Sequence, residues 1–484
     1  MPTLGVDVGT QSLKAAVFDD AMQLRGSGSV RYQPNLPQPG WAEQDTRLWL
    51  DALGPAIAEA LRAAAYAPTD ITALCVCGQL DGCVPTAADG SALTPAIIWM
   101  DRRASGLLDL MDPALVRERC GLVLDATHMG GKIAWLDRNL PQRQQVATWH
   151  QPVSFVVEAL TGERVMSRSL ASTTMLYDLK TDTWGDDLAA MFGARPAELP
   201  RIAGEADIAG RLTAAGSMLT GLPVGVPVAV GTGDDFSNLL GCGIGAPGVV
   251  GVSLGTAEAT GALAARAVVD DEMLVETHVY PGGLFHLGNP GWLSGGAVRW
   301  AAGLLGVSSD EAFMTLAAGA PPGCEGLVFL PALAGAMSPK WIAVARGGFV
   351  GLTLSHGPEH MARAVLESCA FAMRDVVERL DALGVATPRL RIMGGGARSS
   401  LWAQIHADVA QRPADVLRAS DASAAGAAVL AAVAGGIMPD IATAAEALHL
   451  PLMMLEPEAS AREPYDAAYA RYREVFAALE PVWR

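Results

Sequence analysis

Gly5-Val6-Asp7-Val8-Gly9-Thr10, near the start of the chain, returns about half a chain later as Gly251-Val252-Ser253-Leu254-Gly255-Thr256. Each copy is a short apolar run ending in Gly-Thr, followed by small and polar residues and a further apolar stretch. That order predicts a strand, a glycine turn and a returning strand. Two hairpins with the same turn chemistry predict a duplicated chain, folded as two related α/β domains that face one another.

The hairpins also carry chemistry. Backbone amides in such turns, with the Thr10 and Thr256 hydroxyls, can hold phosphate oxygens from two sides. Asp7 ends the first strand and is replaced by Ser253 in the second copy, so one carboxylate is left on the side where a metal would be held. Farther along, Thr232-Gly233-Asp234-Asp235 follows the apolar run 226–230, at a strand end where a helix begins. Helix-dipole and amide donors there favour an ionised carboxylate, as a general base needs. Asp234 is assigned as the base and Asp235 as the helix cap. Gly394-Gly395-Gly396-Ala397 lies between a strand at 390–393 and a helix at 399–411, and lets a flat ligand approach the backbone. Together these are the parts that transfer of a γ-phosphoryl group requires: a cradle, a metal-side acid and a base at the nucleophile.

Other phosphate-binding designs are excluded. No G-x-x-x-x-G-K-[ST] loop is present, because Gly131-Lys132 lacks the upstream glycine and the following Ser or Thr. The glycine cluster at 241–248 precedes strand-like residues rather than a helix, against a dinucleotide fingerprint.

At 484 residues the chain exceeds a single core, and a cleft between two domains is the expected site. The boundary is placed near 237–247, where glycines and Pro247 would break a helix or strand, giving domains 1–240 and 241–484. Hydrophobic residues make up 51% and charged residues 18%, the composition of a packed globular chain. A net charge of −17 argues against nucleic acid and anionic membranes as partners. Seven cysteines show no framework spacing, and Cys75 and Cys77 read as reduced core residues. The start lacks a basic leader, and the best uninterrupted helix, 424–438, is short of the roughly 20 residues that span a bilayer. A soluble, cytoplasmic protein is the expectation.

Further elements follow from periodicity. Apolar residues from Trp49 to Leu61 predict a helix capped by Asp45 and kinked at Gly54-Pro55, and 71–77 predicts a strand. A long helix is expected over 361–376, an Ala-rich helix from Ser423 closed by Pro439, and a last amphipathic helix at 465–479. Trp99, Trp292 and Trp300 are read as core rather than sugar-stacking residues.

The segment from Gly347 to Glu367, with Phe349, Gly351, Leu352, His360, Met361, Ala364, Val365 and Leu366, resembles the C-terminal signature of the FGGY carbohydrate kinases. Lys132, Ile133, Trp135 and Leu136 match the N-terminal signature, whereas Thr127 and Met129 depart from it. Gly40-Trp41-Ala42-Glu43-Gln44-Asp45, the run Ile98-Trp99-Met100-Asp101-Arg102-Arg103 and Ala345-Arg346-Gly347 are most similar to the xylulokinase branch.

The resemblance implies a two-domain, actin-like (ribonuclease H-like) ATPase fold, with mixed sheets flanked by helices and the site in the interdomain cleft. It implies transfer of the γ-phosphate of ATP, with Mg²⁺, to a sugar hydroxyl, D-xylulose being the expected acceptor. Asp234 corresponds to the catalytic base, and Asp7 with Asp234 to the metal side. Gly9, Thr10, Gln11, Ser12 and Lys14 in the first loop, and Gly255 and Thr256 in the second, correspond to the nucleotide's phosphate side. Gly395, Gly396, Ser399 and Ser400 correspond to the adenine side. Gln79, Leu80, Asp81, Asp101, Asp234 and Asp235 are expected at the sugar, and a homodimer is a further expectation.

Two departures fall near the sugar. The branch usually reads Gly-Gln-Met-His-Gly and Gly-Glu-Arg-x-Pro where this chain has Gly78-Gln79-Leu80-Asp81-Gly82 and Gly335-Ala336-Met337-Ser338-Pro339. Such changes leave another pentulose, a polyol or a sugar acid open as acceptor. The competing readings are an actin-like nucleotide switch and a sugar-binding protein with a degenerate site.

Overall fold

The duplication is written into the strand order. The computed structural model describes residues 1–418 and 422–483. The first sheet runs Ile208–Arg211, Pro227–Gly233, Ala73–Gly78, Thr3–Val8, Ser12–Phe18, Leu24–Arg31. The second runs Leu452–Leu455, Ala414–Leu417, Leu390–Met393, Val250–Leu254, Ala257–Ala264, Leu284–Leu293, Glu276–Tyr280. In both sheets the hairpin's leading strand pairs parallel with the strand beside it and antiparallel with its own return. The two Gly-Thr turns therefore stand at equivalent ends of equivalent strands.

Helices cover the sheets because their apolar residues repeat at helical spacing. Arg47–Ala64 buries Trp49, Ala52, Leu53, Ala56, Ile57, Ala60 and Leu61, the predicted face. Its N-cap is Thr46 rather than Asp45, whose carboxylate instead accepts from the Arg47 amide at 3.0 Å. The helix runs on through Gly54-Pro55 without a break. Pro55 lies on the exposed side, so the carbonyl its ring leaves unbonded is open to solvent.

The two sheets meet across a pair of helices that only small residues allow to cross. A Cβ on Gly426 of Ala422–Ala434 would lie 1.9 Å from the Ser237 carbonyl oxygen of Asp234–Gly241, and one on Gly241 1.8 Å from that of Ala422. Ser237 Oγ donates across the crossing to Ser423 O at 2.7 Å. Helix Ala422–Ala434 also packs on Thr3–Val8 and Ala73–Gly78, so a segment from late in the chain completes the covering of the first sheet. It ends at Gly435-Gly436, where Gly436 takes φ +70°, and not at Pro439. The region expected to hold neither helix nor strand is helical as far as Gly241.

The long helix is Pro358–Ala382, and the last is Arg462–Trp483. Arg363 binds Glu367 at 2.7 Å and Tyr465 Oη at 2.8 Å, and Glu367 accepts from the Gly323 amide at 3.1 Å. The C-terminal signature thus ties three parts of the second domain together. All seven cysteines are buried and free, as expected. Among the described residues no helix is long and apolar enough to cross a membrane.

Candidate active site

A cavity of about 490 Å³ opens between the sheets, with walls from both domains. Of the predicted residues, Thr10, Gln79, Leu80, Asp81, Asp234 and Asp235 line it.

The first turn is closed by the Gly9 amide donating to Ser12 O at 3.0 Å. Its carbonyls and hydroxyl are then fixed from outside. Tyr32 Oη donates to Gly9 O at 2.7 Å, Gln44 Nε2 to Thr10 O at 2.8 Å, and Trp99 Nε1 to Thr10 Oγ1 at 3.0 Å. Gln11 O accepts from the Tyr32 amide at 3.1 Å. Asp7 stands in register with Lys14 on one side and Cys77 on the other.

The second turn closes through the Gly255 amide and Ala257 O, at 2.9 Å, and sits on the first residues of helix Gly295–Leu304. The Gly295 amide donates to Gly255 O at 3.1 Å and Arg299 Nη2 to Thr256 Oγ1 at 3.1 Å. Behind it, buried Glu258 accepts from Ser294 Oγ at 3.0 Å and lies 3.0 Å from His406 Nε2, anchoring the hairpin to helix Ser400–Ala410.

The glycine run presses against this same turn. Gly394 takes φ +88°, and a Cβ there would lie 2.8 Å from the Leu254 carbonyl oxygen. Gly395 faces open space, whereas Gly396 is covered by Trp402. Ser399 caps the following helix by accepting from the Trp402 amide at 3.2 Å, and Ser400 accepts from Arg418 at 2.9 Å. Gly395 thus leaves open backbone beside the second turn, where a flat group can lie against the chain.

Asp234 opens its helix at the end of strand Pro227–Gly233, with Gly233 as N-cap. Asp235 is therefore the second helical residue and faces the cavity rather than capping. The sequence argument also favoured an ionised Asp234, and here the structure differs. Burial, then repulsion from Asp235 and Asp7, pushes the Asp234 carboxyl well above the ordinary range, outweighing the amide donors. Asp235 rises to about 6, through burial first and Asp81 second. Asp234 is only half-buried and Asp235 is exposed, so water in the cavity tempers the push.

Gln79 is held by its amide donating to Gln44 Oε1 at 2.6 Å, while its own Oε1 is buried with no hydrogen-bond partner among the described residues. Asp81 takes φ +62°, a conformation that costs a non-glycine residue about 1–3 kcal/mol. Its amide donates to Gln151 Oε1 at 2.8 Å, and Gln151 is itself fixed by Leu170 O and Thr173 Oγ1. Asp101 is not on the wall. Its carboxylate accepts from the Ala42 amide at 2.6 Å and from Arg103 at 2.8 Å, so it braces the preceding loop, and its neighbour Arg102 lines the cavity instead.

Several wall residues went unread in the sequence. His128 stands 3.4 Å from Asp81 Oδ2 and 3.4 Å from Glu276 Oε1, and Glu276 also accepts from the Val123 amide at 2.9 Å. His278 and His286 stack with ring centres 6.4 Å apart. Glu276 and His278 alternate along one strand, a period-two pattern that is the signal available for them. Trp99, expected in the core, lines the cavity, and Trp300 is exposed and stacks on Phe329, while Trp292 is buried as expected. Met337, from the second departure, lines the cavity, and its carbonyl accepts from Asn289 at 2.8 Å.

Two duplicated sheets closing on a cleft, with paired phosphate-type turns and an acid at a helix start, define an actin-like phosphotransferase. The chain belongs to the FGGY family of carbohydrate kinases: residues 3–241 match the family's N-terminal domain and 250–435 its C-terminal domain. It is 31% identical over 444 residues to a glycerol kinase of Thermococcus onnurineus, covering 89% of this chain and 88% of that one. Against a xylulose kinase of Escherichia coli the identity is 28% over 486 residues, covering 99% of both. The crystal structure of xylulose kinase from Rhodospirillum rubrum matches the whole of both chains with a TM-score of 0.93 at 32% identity. Membership makes the protein a sugar kinase and implies ATP as its donor.

Proposed function

We propose that the protein transfers the γ-phosphate of MgATP to a hydroxyl of D-xylulose or a related small polyhydroxy acceptor, with Asp234 as the base. The observation that carries this is the position of Asp234, on the cavity wall with Thr10 and influenced by Asp7. The two turns and the open Gly395 suit the nucleotide, and the wall from Gln79 to Asp81 suits the acceptor's hydroxyls. A glycerol-like acceptor is the second reading, favoured by the glycerol kinase relatives.

The metal fits as part of the nucleotide. Among the described residues no group of three His, Cys, Asp or Glu side chains could hold an ion. Asp7 and Asp234 form an acidic pair, which suits a Mg²⁺ that keeps waters and phosphate oxygens as its other ligands. That ion would spread the phosphate charge and draw Asp234 back to its ionised form. Asp234 then orients the attacking hydroxyl and accepts its proton late, while closure of the domains keeps water from the γ-phosphate. Free, buried thiols fit a reducing cytoplasm.

The test is ADP release from MgATP with D-xylulose and with glycerol, each against a control without acceptor. Stimulation is expected from at least one. Acceptor-independent release alone would favour a nucleotide switch, and no release a binding protein.

A further inference from the structure

Resting on the kinase reading, we propose that Asp81, His128 and Glu276 form a cross-cleft selector that admits uncharged polyols and ketoses and rejects acceptors bearing a carboxylate. The argument begins with what the wall has left to offer. Asp81 is 3% exposed and Gln79 1%, and Asp81 Oδ1 and Gln79 Oε1 face no donor among the described residues. Buried acceptors of this kind call for donors from the ligand. Hydroxyl groups supply them, and a substrate carboxylate supplies none.

Charge points the same way. Asp81 and Glu276, whose carboxylates flank His128, both line the cavity. The lining cations are already engaged: Arg102 pairs with Asp125, and His128 lies between Asp81 and Glu276. Burial pushes His278 and His286 down to about 4, so both stay neutral at physiological pH. Asn289 spends its amide on Leu274 O and Met337 O and its oxygen on the Gly291 amide. Neutral donors such as Trp341 Nε1 serve a hydroxyl as well as a carboxylate and so do not discriminate. An anionic acceptor would meet like charges and no unpaired cation, which is how a site selects by repulsion.

The Asp81 carboxylate is confined by its burial and by His128 Nδ1, 3.4 Å from Oδ2. Glu276 comes from the second domain and grips the first through the Val123 amide, so the selector joins both walls.

Matched pairs test the proposal: D-xylulose or xylitol against D-xylonate, and glycerol against glycerate, by ADP release and by calorimetric binding. The neutral member is expected to exceed the acid by about 100-fold or more in kcat/KM. Asp81→Asn and Glu276→Gln should raise KM for the neutral acceptor, keep kcat within a few-fold, and shrink the neutral-to-acid ratio about tenfold. A preference for the acid, or a ratio unchanged in both variants, overturns the selector. If a variant fails to fold, the wild-type ratio still decides. A protein that phosphorylates nothing breaks the kinase reading, and calorimetry on the same pairs then judges the selector alone.

Discussion

The two Gly-Thr hairpins share a backbone and differ in what they carry. The first holds Asp7 and presents Thr10 to the cavity, braced by Trp99 and Gln44. The second has Ser253 in place of the acid, and its Thr256 accepts from Arg299. The fold thus builds the same turn twice, with an acid in one copy and a cation bonded to the other. The asymmetry gives the two hairpins different chemistry, a carboxylate in the first and a guanidinium on the second.

The largest expected effect lies just beside the hairpins. Asp234→Asn should lower kcat by about 10³-fold with acceptor affinity retained, since a positioned base contributes roughly 10²–10⁴; steady-state kinetics with calorimetry checks both halves. Asp7→Ser makes the first hairpin copy the second, and kcat/KM for MgATP is expected to fall about 10²-fold. A silent Asp7→Ser would mean that the difference between the hairpins carries no chemistry. Arg299→Ala removes the second hairpin's cation and should raise KM for ATP about tenfold, on the order of one charged hydrogen bond.

Smaller effects concern the frame. Gly426→Val puts side-chain atoms where the Ser237 carbonyl lies, and should cost about 1–3 kcal/mol or more, read from urea unfolding. Burial lowers the His128 pKa, but Asp81 and Glu276 raise it more, to about 10 from an ordinary 6.5. A raised folded pKa contributes stability that is complete below about 6.5 and is lost as pH rises through about 10. Wild-type protein should show that loss, and His128→Gln should not.

Much of this was legible in advance because it is local. The hairpins, the strand Leu390–Met393, the Ser399-capped helix and the position of Asp234 are all encoded within a few residues of themselves. What escaped is what the fold assembles from afar. His128 and Glu276 are joined only when the two domains meet, and nothing near either marks it. Asp101 looked like a sugar ligand from its motif, but Arg103 and the Ala42 amide claim its oxygens. The environment of Asp234 escaped for a similar reason: the helix start is visible in sequence, whereas the burial and the neighbouring Asp7 that push its carboxyl up belong to the cleft. Ala422–Ala434 reads as an ordinary buried helix, and its glycine contacts and the Ser237–Ser423 hydrogen bond reveal that it crosses between the domains.

The central claim is that phosphate passes from ATP to an acceptor hydroxyl under the control of Asp234. Phosphorus NMR of MgATP incubated with neutral acceptors tests it directly, because it separates a phosphorylated acceptor from free phosphate. The account predicts a phosphate-ester signal with wild-type protein that is lost in Asp234→Asn. Free phosphate as the sole product, or an equal ester signal from the variant, would contradict it.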